Sequence, residues 1–272
     1  MNKMETGSKG AVSEFSWMNL RDRVTLGDGV AKVNAEGMYY GDLNALTKAL
    51  NRDSVKKIEI FNVYGQRYLG TGLEGNSHIE IHGTPGNDLG AFMKQTTLVV
   101  HGNAQDGCGN TMDSGKIIVH GYVGDIVGYS MRGGSIFVRD DAGYRAGIHM
   151  KEYQEKKPVL VIGGTAQDFL GEYMAGGILV VLGLTLQGDL RHTARFVGTG
   201  MHGGKMYIRG KVDGLSRDVE AVDLDGEDRR LLDSIVSEFC SHFGFNADKI
   251  MRAKFGKLVP TSSRPYERLY VR

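Results

Sequence analysis

The sequence repeats a glycine followed three residues later by a methionine, and four successive copies are spaced at a strict interval of 19 residues. The first four copies pair Gly90 with Met93, Gly109 with Met112, Gly128 with Met131, and Gly147 with Met150, and two more, Gly171 with Met174 and Gly198 with Met201, follow after longer spacers. A fixed period near 20 residues is typical of a solenoid, in which one repeat is too small to bury its own apolar face. The spacing therefore predicts a fold made of stacked repeats.

Each repeat also contains a short segment rich in Val and Ile that ends at glycine or a polar turn, as strands do. These segments begin at Ile58, Ile79, Leu98, Ile117, Ile136, Val159, Leu179 and Met206. A hairpin meander would not keep the intervening residues in register, whereas parallel stacking would. The sequence thus predicts an all-β fold, a right-handed parallel β-helix of about seven to eight coils of about 19 residues, with a short helix before it and helices after it.

Alternation along the strands predicts which side chains point into the β-helix. The first and third residues of each strand are expected inside, with Ile79, Leu98, Ile117, Ile136 and Val159 as one interior column. The repeated methionines are expected to form another interior column, because a flexible thioether fills irregular space. The 40 glycines suit tight corners, which require positive φ or close backbone approach.

The middle residue of each strand is expected to point outward, and this column changes character along the chain. It is charged at Glu59 and Glu80 and then apolar, and Val99, Ile118, Phe137, Leu160 and Val180 form a candidate interface. An apolar strip of this kind needs cover. Two covers remain open: an amphipathic helix of the same chain over 227–243, or a partner subunit or second copy in a homo-oligomer.

The chain divides into an irregular N-terminal segment (1–36), the β-helix (37–222), and a C-terminal helical segment with an extended tail (223–272). Asp42 is predicted to cap a short helix, and Asp225 and Gly244 are predicted to cap and end the C-terminal helix. Extra residues at 151–157 and 188–195 lengthen two coils. They are expected to bulge outward, either as partner contacts or as solvated loops.

Composition excludes several function classes. A net charge of +1 gives no reason to expect nucleic acid, and no run of 18 apolar residues predicts a membrane span. A signal-type N-terminus is missing, which favours the cytoplasm. Cys108 and Cys240 lack metal-ligand spacing and are expected to be unreactive thiols.

Two recurring sets of polar residues invite a catalytic or metal-binding interpretation. Asp88, Asp106, Asp125 and Asp168 recur near the turns, where acceptance of backbone N–H bonds is favoured over catalysis on a polymer. His82, His101 and His120 follow one another at 19 residues. They are expected to stack with parallel rings about 4.8 Å apart, which does not suit the convergent ligands of zinc, so no metal is predicted.

Several motifs carry a family resemblance. They are Gly65-Gln66-Arg67-Tyr68, the runs that begin at His82 and His101, Gly128-Tyr129-Ser130-Met131-Arg132-Gly133-Gly134 and Gly198-Thr199-Gly200-Met201-His202-Gly203-Gly204. Over roughly residues 37 to 272 the chain resembles the G-x-G-x-G domain of the glutamate synthase α subunit, in the form that archaea and some bacteria make as a separate polypeptide. The same fold resembles the C-type subunit of formylmethanofuran dehydrogenase.

The resemblance implies a β-helix with no catalytic, cofactor-binding or metal-binding residue of its own. It would position a class II amidotransferase and an FMN-dependent synthase with an iron–sulfur centre, with the cofactors on those partner subunits. Met1 is followed by Asn2, so the amidotransferase nucleophile, an N-terminal cysteine, is not expected on this chain. The alternatives are the C-type subunit of a formylmethanofuran dehydrogenase or formyltransferase/hydrolase-type complex, and an autonomous β-helix enzyme acting on a polymer.

Overall fold

Strands that lie one repeat apart pair side by side and in parallel, as in Ile79 with Leu98, Leu98 with Ile117, and Ile117 with Ile136. The computed structural model describes residues 17–53 and 55–263. Its strands are β1 (Val24–Gly27), β2 (Val30–Asn34), β3 (Lys57–Tyr64), β4 (His78–Thr84), β5 (Thr97–His101), β6 (Lys116–Val119), β7 (Ser135–Val138), β8 (Val159–Ile162), β9 (Ala175–Val181), β10 (Arg191–His192), β11 (Gly203–Arg209), β12 (Lys211–Val212), β13 (Val219–Val222) and β14 (Phe255–Pro260). Its helices are α1 (Tyr40–Arg52), α2 (Gly226–Phe243) and α3 (Ala247–Met251), after a 3₁₀ segment at Trp17–Arg23. The predicted all-β parallel β-helix is confirmed.

The stack begins one coil earlier than the repeat indicates. Strand β2 pairs in parallel with β3, with Ala31 opposite Ile58, and β1 pairs antiparallel with β2. Residues 17–36 therefore contribute ordered strands, while residues 1–16 of the predicted irregular segment lie outside the described residues. The methionine spacing misses this coil because α1 is inserted within it.

Helix α1 begins at Tyr40, two residues before the predicted cap at Asp42. Tyr39 occupies the cap position without a side-chain bond, and Asp42 lies in the first turn, so the predicted cap at Asp42 is wrong. The apolar stripe is nevertheless used, since Leu43, Leu46 and Leu50 join the interior core of the β-helix.

At the C-terminal end, antiparallel pairing stops the parallel stack. Strand β14 pairs antiparallel with β11, and β13 pairs antiparallel with β14, which places β13 at the edge of the 12-stranded sheet. The part of the predicted extended tail that falls in Phe255–Pro260 is thus a strand, while residues 264–272 lie outside the described part of the chain.

The corner that carries the repeat places three alternate residues in the left-handed conformation. In one coil these are Ile126 (φ 54°), Gly128 (φ 70°) and Ser130 (φ 51°). The outer two donate their N–H groups to the following coil, Ile126 to Tyr144 O at 2.8 Å and Ser130 to Ile148 O at 2.9 Å, while Gly128 donates back to Cys108 O at 2.8 Å. Alternation of left-handed residues therefore bonds each corner to both of its neighbours.

The middle position is glycine because its missing Cβ faces the core. A Cβ on Gly109 would lie 2.2 Å from Ile136 Cδ1, and one on Gly147 would lie 2.5 Å from Leu179 Cδ1. Most outer positions face away and carry side chains, at a cost of about 1–2 kcal/mol for each left-handed L-residue, and Gly107 and Gly200 are the outer positions that do not. The same left-handed conformation occurs at the middle glycine of all six copies of the repeat, which are Gly90, Gly109, Gly128, Gly147, Gly171 and Gly198.

The repeated methionines fill the interior beside these glycines. The methionine N–H closes the turn on the glycine carbonyl, at 3.1 Å for Met131 to Gly128. All six side chains are at most 2% exposed and belong to the interior core, and they are Met93, Met112, Met131, Met150, Met174 and Met201. The methionine slot therefore has a packing role, and its thioethers are not available to a ligand on the surface.

The predicted register of one strand, β8, is wrong by one residue. Leu160 lies opposite Ile136, and Val161 lies opposite Phe137. Leu160 is therefore an interior residue, and neither Val159 in the interior column nor Leu160 in the outer strip is correct. The segment Val159–Ile162 is apolar at every position, so its alternation contains no information about which face is inside.

The outer apolar strip is covered by α2 of the same chain. Val99, Ile118, Phe137, Val161, Val180 and Tyr207 form one buried cluster with Leu232, Ile235, Val236 and Phe239 of the helix. No strip residue is more than 8% exposed. The alternative in which these residues form a partner interface is therefore replaced by the intrachain cover.

A buried carboxylate fixes the start of α2 on the sheet. Asp225 and Asp228 form a reciprocal capping box, and Gly244 ends the helix at φ 73°, as predicted for the two caps. Asp228 is fully buried and accepts bonds from Tyr207 Oη at 2.6 Å, Lys257 Nζ at 2.5 Å and Lys205 Nζ at 3.1 Å. Burial opposes ionisation, but these bonds hold the pKa of Asp228 well below its usual range.

The corner packing predicts different costs for two glycines with the same backbone conformation. Gly109→Ala and Gly128→Ala both place a Cβ on a left-handed residue, but the nearest atom to the new Cβ is 2.2 Å away at Gly109 and 3.4 Å away at Gly128. We expect Gly109→Ala to lower the free energy of unfolding by about 1–3 kcal/mol more than Gly128→Ala. Chemical denaturation of both variants measures this, and equal losses would contradict the packing argument.

Because α2 covers the apolar strip, a charge introduced there should destabilise the protein. Phe137 is 1% exposed, whereas Phe92, also a phenylalanine of the β-helix, is 55% exposed. Phe137→Glu should lower the free energy of unfolding by about 4 kcal/mol or more, through lost packing and a buried carboxylate. Phe92→Glu is the matched control and should change it by less than about 1 kcal/mol. A Phe137→Glu protein of wild-type stability would show that α2 does not cover the strip.

Candidate functional site

The recurring turn aspartates are engaged in holding the coils together. Asp106 accepts the N–H of Asp125 at 2.8 Å, Asp125 accepts that of Tyr144 at 2.9 Å, and Asp168 accepts that of Arg195 at 2.8 Å. Asp88 accepts from the side-chain amide of Asn110 at 2.9 Å. Each bond joins one coil to the next rather than closing its own turn. These carboxylates are therefore structural acceptors, which is the favoured interpretation of their recurrence.

The three histidines stack on the outer face as their spacing predicts. The ring centroids of Phe61 and His82 are 4.5 Å apart, those of His82 and His101 4.5 Å, and those of His101 and His120 5.3 Å. The column then ends against the edge of Phe243 of α2, at 5.1 Å. Arg139 lies one repeat after His120, and its guanidinium is paired with Asp140.

A cluster of basic side chains, one lysine and three histidines, surrounds Glu80 beside this column. Its Oε2 lies 3.1 Å from His101 Nε2 and 4.0 Å from His82 Nε2, and its Oε1 lies 3.1 Å from Lys57 Nζ and 3.4 Å from His78 Nε2. Partial burial raises the pKa of the carboxyl, but the bonds from Lys57 and His101 outweigh that effect and lower it to about 2. In the sequence the histidine column and Glu80 belong to two separate patterns. The parallel register of the strands places them side by side.

Glu80, His82 and His101 are the group in the described part of the chain whose ligand atoms come close enough to hold a metal ion, within 4.8 Å of one another. Two features oppose that use. The His82 and His101 rings are within 13° of parallel, so their nitrogen lone pairs run side by side rather than converging. The Lys57 ammonium also occupies the second oxygen of Glu80. That no metal binds here stays a prediction.

Neither cysteine is placed to act as a nucleophile. Both side chains are buried. Burial raises the pKa of the Cys108 thiol to about 12 and raises that of Cys240 as well. Since the thiolate is the reactive form, both thiols are chemically quiet near neutral pH.

The two long loops are tied back to the solenoid. In the first, Lys156 Nζ bonds Asp113 at 2.6 Å, and Tyr153 and Lys156 form a short antiparallel bridge. In the second, β10 pairs in parallel with β12. Arg191 is also ion-paired with Asp213. These contacts fix both loops against the coils and leave their outer sides exposed.

A groove of about 590 Å³ opens beside the methionine corners, and we call it the corner groove. It is lined by Tyr129, Ser130, His149, Lys151, Tyr173, Ala175, His202 and Ser263. The sequence does not predict this groove directly, because the most regular residue of the repeat is the buried methionine. The signal was the residue just before each methionine, which is Ser130, His149 or Tyr173 in three successive coils. Among the described residues, no helix is long and apolar enough to cross a membrane.

A family model described as the GXGXG motif matches residues 50–262. The chain belongs to the GXGXG family. An uncharacterized protein of Methanocaldococcus jannaschii is 48% identical over 250 residues, which cover 88% of this chain and 95% of that protein.

A solved structure with a similar fold is a chain of the formyltransferase/hydrolase complex FhcABCD from Methylorubrum extorquens, determined with methylofuran. The likeness has a TM-score of 0.58 and 19% identity, and covers 82% of this chain and 89% of that chain. At this identity the likeness shows the fold alone.

The GXGXG motif has a direct physical meaning in this structure. Three glycines at alternate positions would fill the three left-handed sites of a corner, and Gly198 and Gly200 fill two of them in the last methionine corner. In the preceding methionine corners the outer sites carry side chains instead, except at Gly107. The GXGXG corner is thus a constant hydrogen-bonding frame whose outer sites display varied side chains to solvent.

The depressed pKa of Glu80 predicts a pH-dependent contribution to stability. The pKa is about 2 in the folded protein against a usual value of 4.5, so the charged carboxylate stabilises the fold above pH 4.5 and loses this effect as the pH falls through 2. Glu80→Gln should therefore lower the free energy of unfolding by on the order of 2 kcal/mol at pH 7, and the deficit should shrink below pH 4.5.

Denaturation of wild type and variant between pH 7 and pH 3 measures the change. Glu74→Gln is the control, because Glu74 forms an exposed ion pair with Lys94 and should contribute little at any pH. A Glu80→Gln deficit that stays constant with pH would contradict the assigned charge cluster.

Proposed function

We propose that this chain is a non-catalytic scaffold subunit of a glutamate synthase-type complex in the cytoplasm. It holds a class II amidotransferase and a synthase that carries FMN and an iron–sulfur centre in position for glutamate biosynthesis. The chain itself binds no flavin, iron–sulfur centre or metal. The match of the GXGXG family model to residues 50–262 supports membership of such a complex.

The observation that carries the scaffold role is how the recurring reactive groups are used. The turn carboxylates bond the backbone of neighbouring coils, the thiols are buried, and the Glu80 carboxylate is engaged by the Lys57 ammonium and the His101 ring. Catalysis on a polymer would need carboxylates free to exchange protons with a substrate. A rigid rod with varied side chains on its outer corners is better suited to holding other proteins at a fixed separation.

A second candidate is the role of the C-type subunit in a formyltransferase/hydrolase or formylmethanofuran dehydrogenase complex. The observation that favours it is the fold likeness to a chain of FhcABCD, which is itself an assembly of several chains. Both candidates give this chain a structural role, and they differ in the partners that it binds.

Reconstitution tests the proposal. A scaffold raises the local concentration of one active site at another, so adding this chain to separately purified amidotransferase and synthase subunits should raise glutamine-dependent glutamate formation at least about tenfold. The rate with free ammonia should not change, because that reaction needs no coupling. The chain alone should show no glutaminase activity, no flavin absorbance and no stoichiometric metal.

Three outcomes would count against the proposal. Glutamine hydrolysis by the purified chain would assign it an active site. An equal glutamine-dependent rate without the chain would remove the scaffold role. Stable assembly with formyl-transferring subunits and none with an amidotransferase would favour the second candidate.

A further inference from the structure

The corner groove combines side chains from three successive coils on one rim. Tyr129 meets the His149 ring edge-to-face at 6.0 Å, and His149 stacks on Tyr173 at 5.3 Å with the planes 9° apart. The Tyr173 ring lies over the backbone of Gly200, where a Cβ would be 2.4 Å from the ring. The rim is therefore a continuous aromatic wall that extends across the coils.

Strained backbone supports this wall. Ser130 (φ 51°), His149 (φ 54°) and Tyr173 (φ 52°) occupy a left-handed site at which Gly200 shows that glycine is compatible with the fold. Placing L-residues there destabilises the corner without serving its hydrogen bonds, which glycine makes equally well. Phe92 (φ 57°) and Thr111 (φ 51°) occupy the same left-handed site in two earlier corners, so the groove differs from those corners in its side chains and not in its backbone.

The charge of the groove indicates what it binds. None of its eight described lining residues is acidic, while Lys151, His149 and His202 are basic and Tyr129, Ser130, Tyr173 and Ser263 carry hydroxyl groups. The Lys151 ammonium is exposed and forms no ion pair within the described residues. His202 donates from Nδ1 to Gly200 O at 3.0 Å, which fixes its ring at the rim.

We propose that the corner groove is the docking site for an extended, acidic segment of a partner subunit. The carboxylates of the segment would accept from Lys151 and the neighbouring imidazole and hydroxyl groups, while its side chains would pack on the wall formed by Tyr129, His149 and Tyr173. The identification of the occupant as a partner subunit rests on the proposed scaffold function. The charge complementarity does not.

Peptide binding tests the groove independently of any complex. A fluorescein-labelled hexaglutamate peptide should bind the full-length chain in fluorescence anisotropy at low salt, and hexaglutamine should bind at least tenfold more weakly. Lys151→Gln should weaken hexaglutamate binding at least fivefold. Lys157→Gln is the matched control, because it removes the same charge from an exposed lysine outside the groove lining and should change binding less than twofold.

Other outcomes would overturn the proposal. Equal binding of the two peptides, or equal effects of the two lysine variants, would show non-specific charge attraction. If deletion of residues 264–272, which follow Ser263 at the rim, raised peptide affinity tenfold, the tail of this chain would be the occupant instead of a partner.

Assembly measurements separate this inference from the proposed function. In a reconstituted complex, Lys151→Gln should weaken subunit affinity at least fivefold while Lys157→Gln does not. If neither substitution changes the subunit affinity, the groove proposal is overturned and the scaffold role is unaffected. Peptide binding that depends on Lys151, together with no assembly of any of these subunits, would support the charge-specific groove and contradict the scaffold role.

Discussion

The structure depends on one constraint, which is that every corner must turn the chain sharply while bonding to the coils on both sides. Three left-handed residues at alternate positions achieve this. The outer two direct their N–H groups to one neighbouring coil, and the middle one directs its N–H group to the other, as in Ile126, Ser130 and Gly128. Because the middle residue faces the core, its side chain is reduced to a hydrogen atom, and the methionine three residues later fills the interior beside it. The interior columns, the parallel register and the outer display of side chains all follow from this corner.

A second interaction explains why the sheet has no large exposed apolar face among its described strands. The strip that runs from Val99 to Tyr207 lies under α2, and the fully buried Asp228 ties the start of that helix to Tyr207 and Lys257. Removing one partner of such a buried ionic group leaves an uncompensated charge, so the helix and the sheet are expected to fold as one unit. The cover also limits where partners can bind. Among the described residues, the corners, the outer sides of the two long loops and the exposed part of the histidine face remain open to partners.

The 19-residue repeat is sufficient to predict the regular part of the β-helix. Parallel strands, the stacked histidines, the buried methionines and the caps at Asp225 and Gly244 all follow from local pattern. Periodicity failed where the pattern was interrupted or uniform. The coil that contains β2 was missed because α1 is inserted in it, and Leu160 was assigned to the wrong face because its strand is apolar throughout. The groove and the Glu80 cluster were not predicted, since both arise from residues in neighbouring coils that only the register brings together.

The proposed function follows from the way the corners and coils use their own polar groups. Under the proposed function, a chain whose corner glycines, turn aspartates and cysteines are used by its own fold contributes geometry to a complex, while the chemistry takes place on other subunits. A cryo-electron microscopy structure of the native assembly with substrate bound tests this claim most directly. The account predicts an unchanged β-helix that contacts partner chains at its corners, with flavin, iron–sulfur centre and substrate bound only by partner residues. A side chain of this chain bonded to a cofactor, or in contact with the reacting atoms, would contradict it.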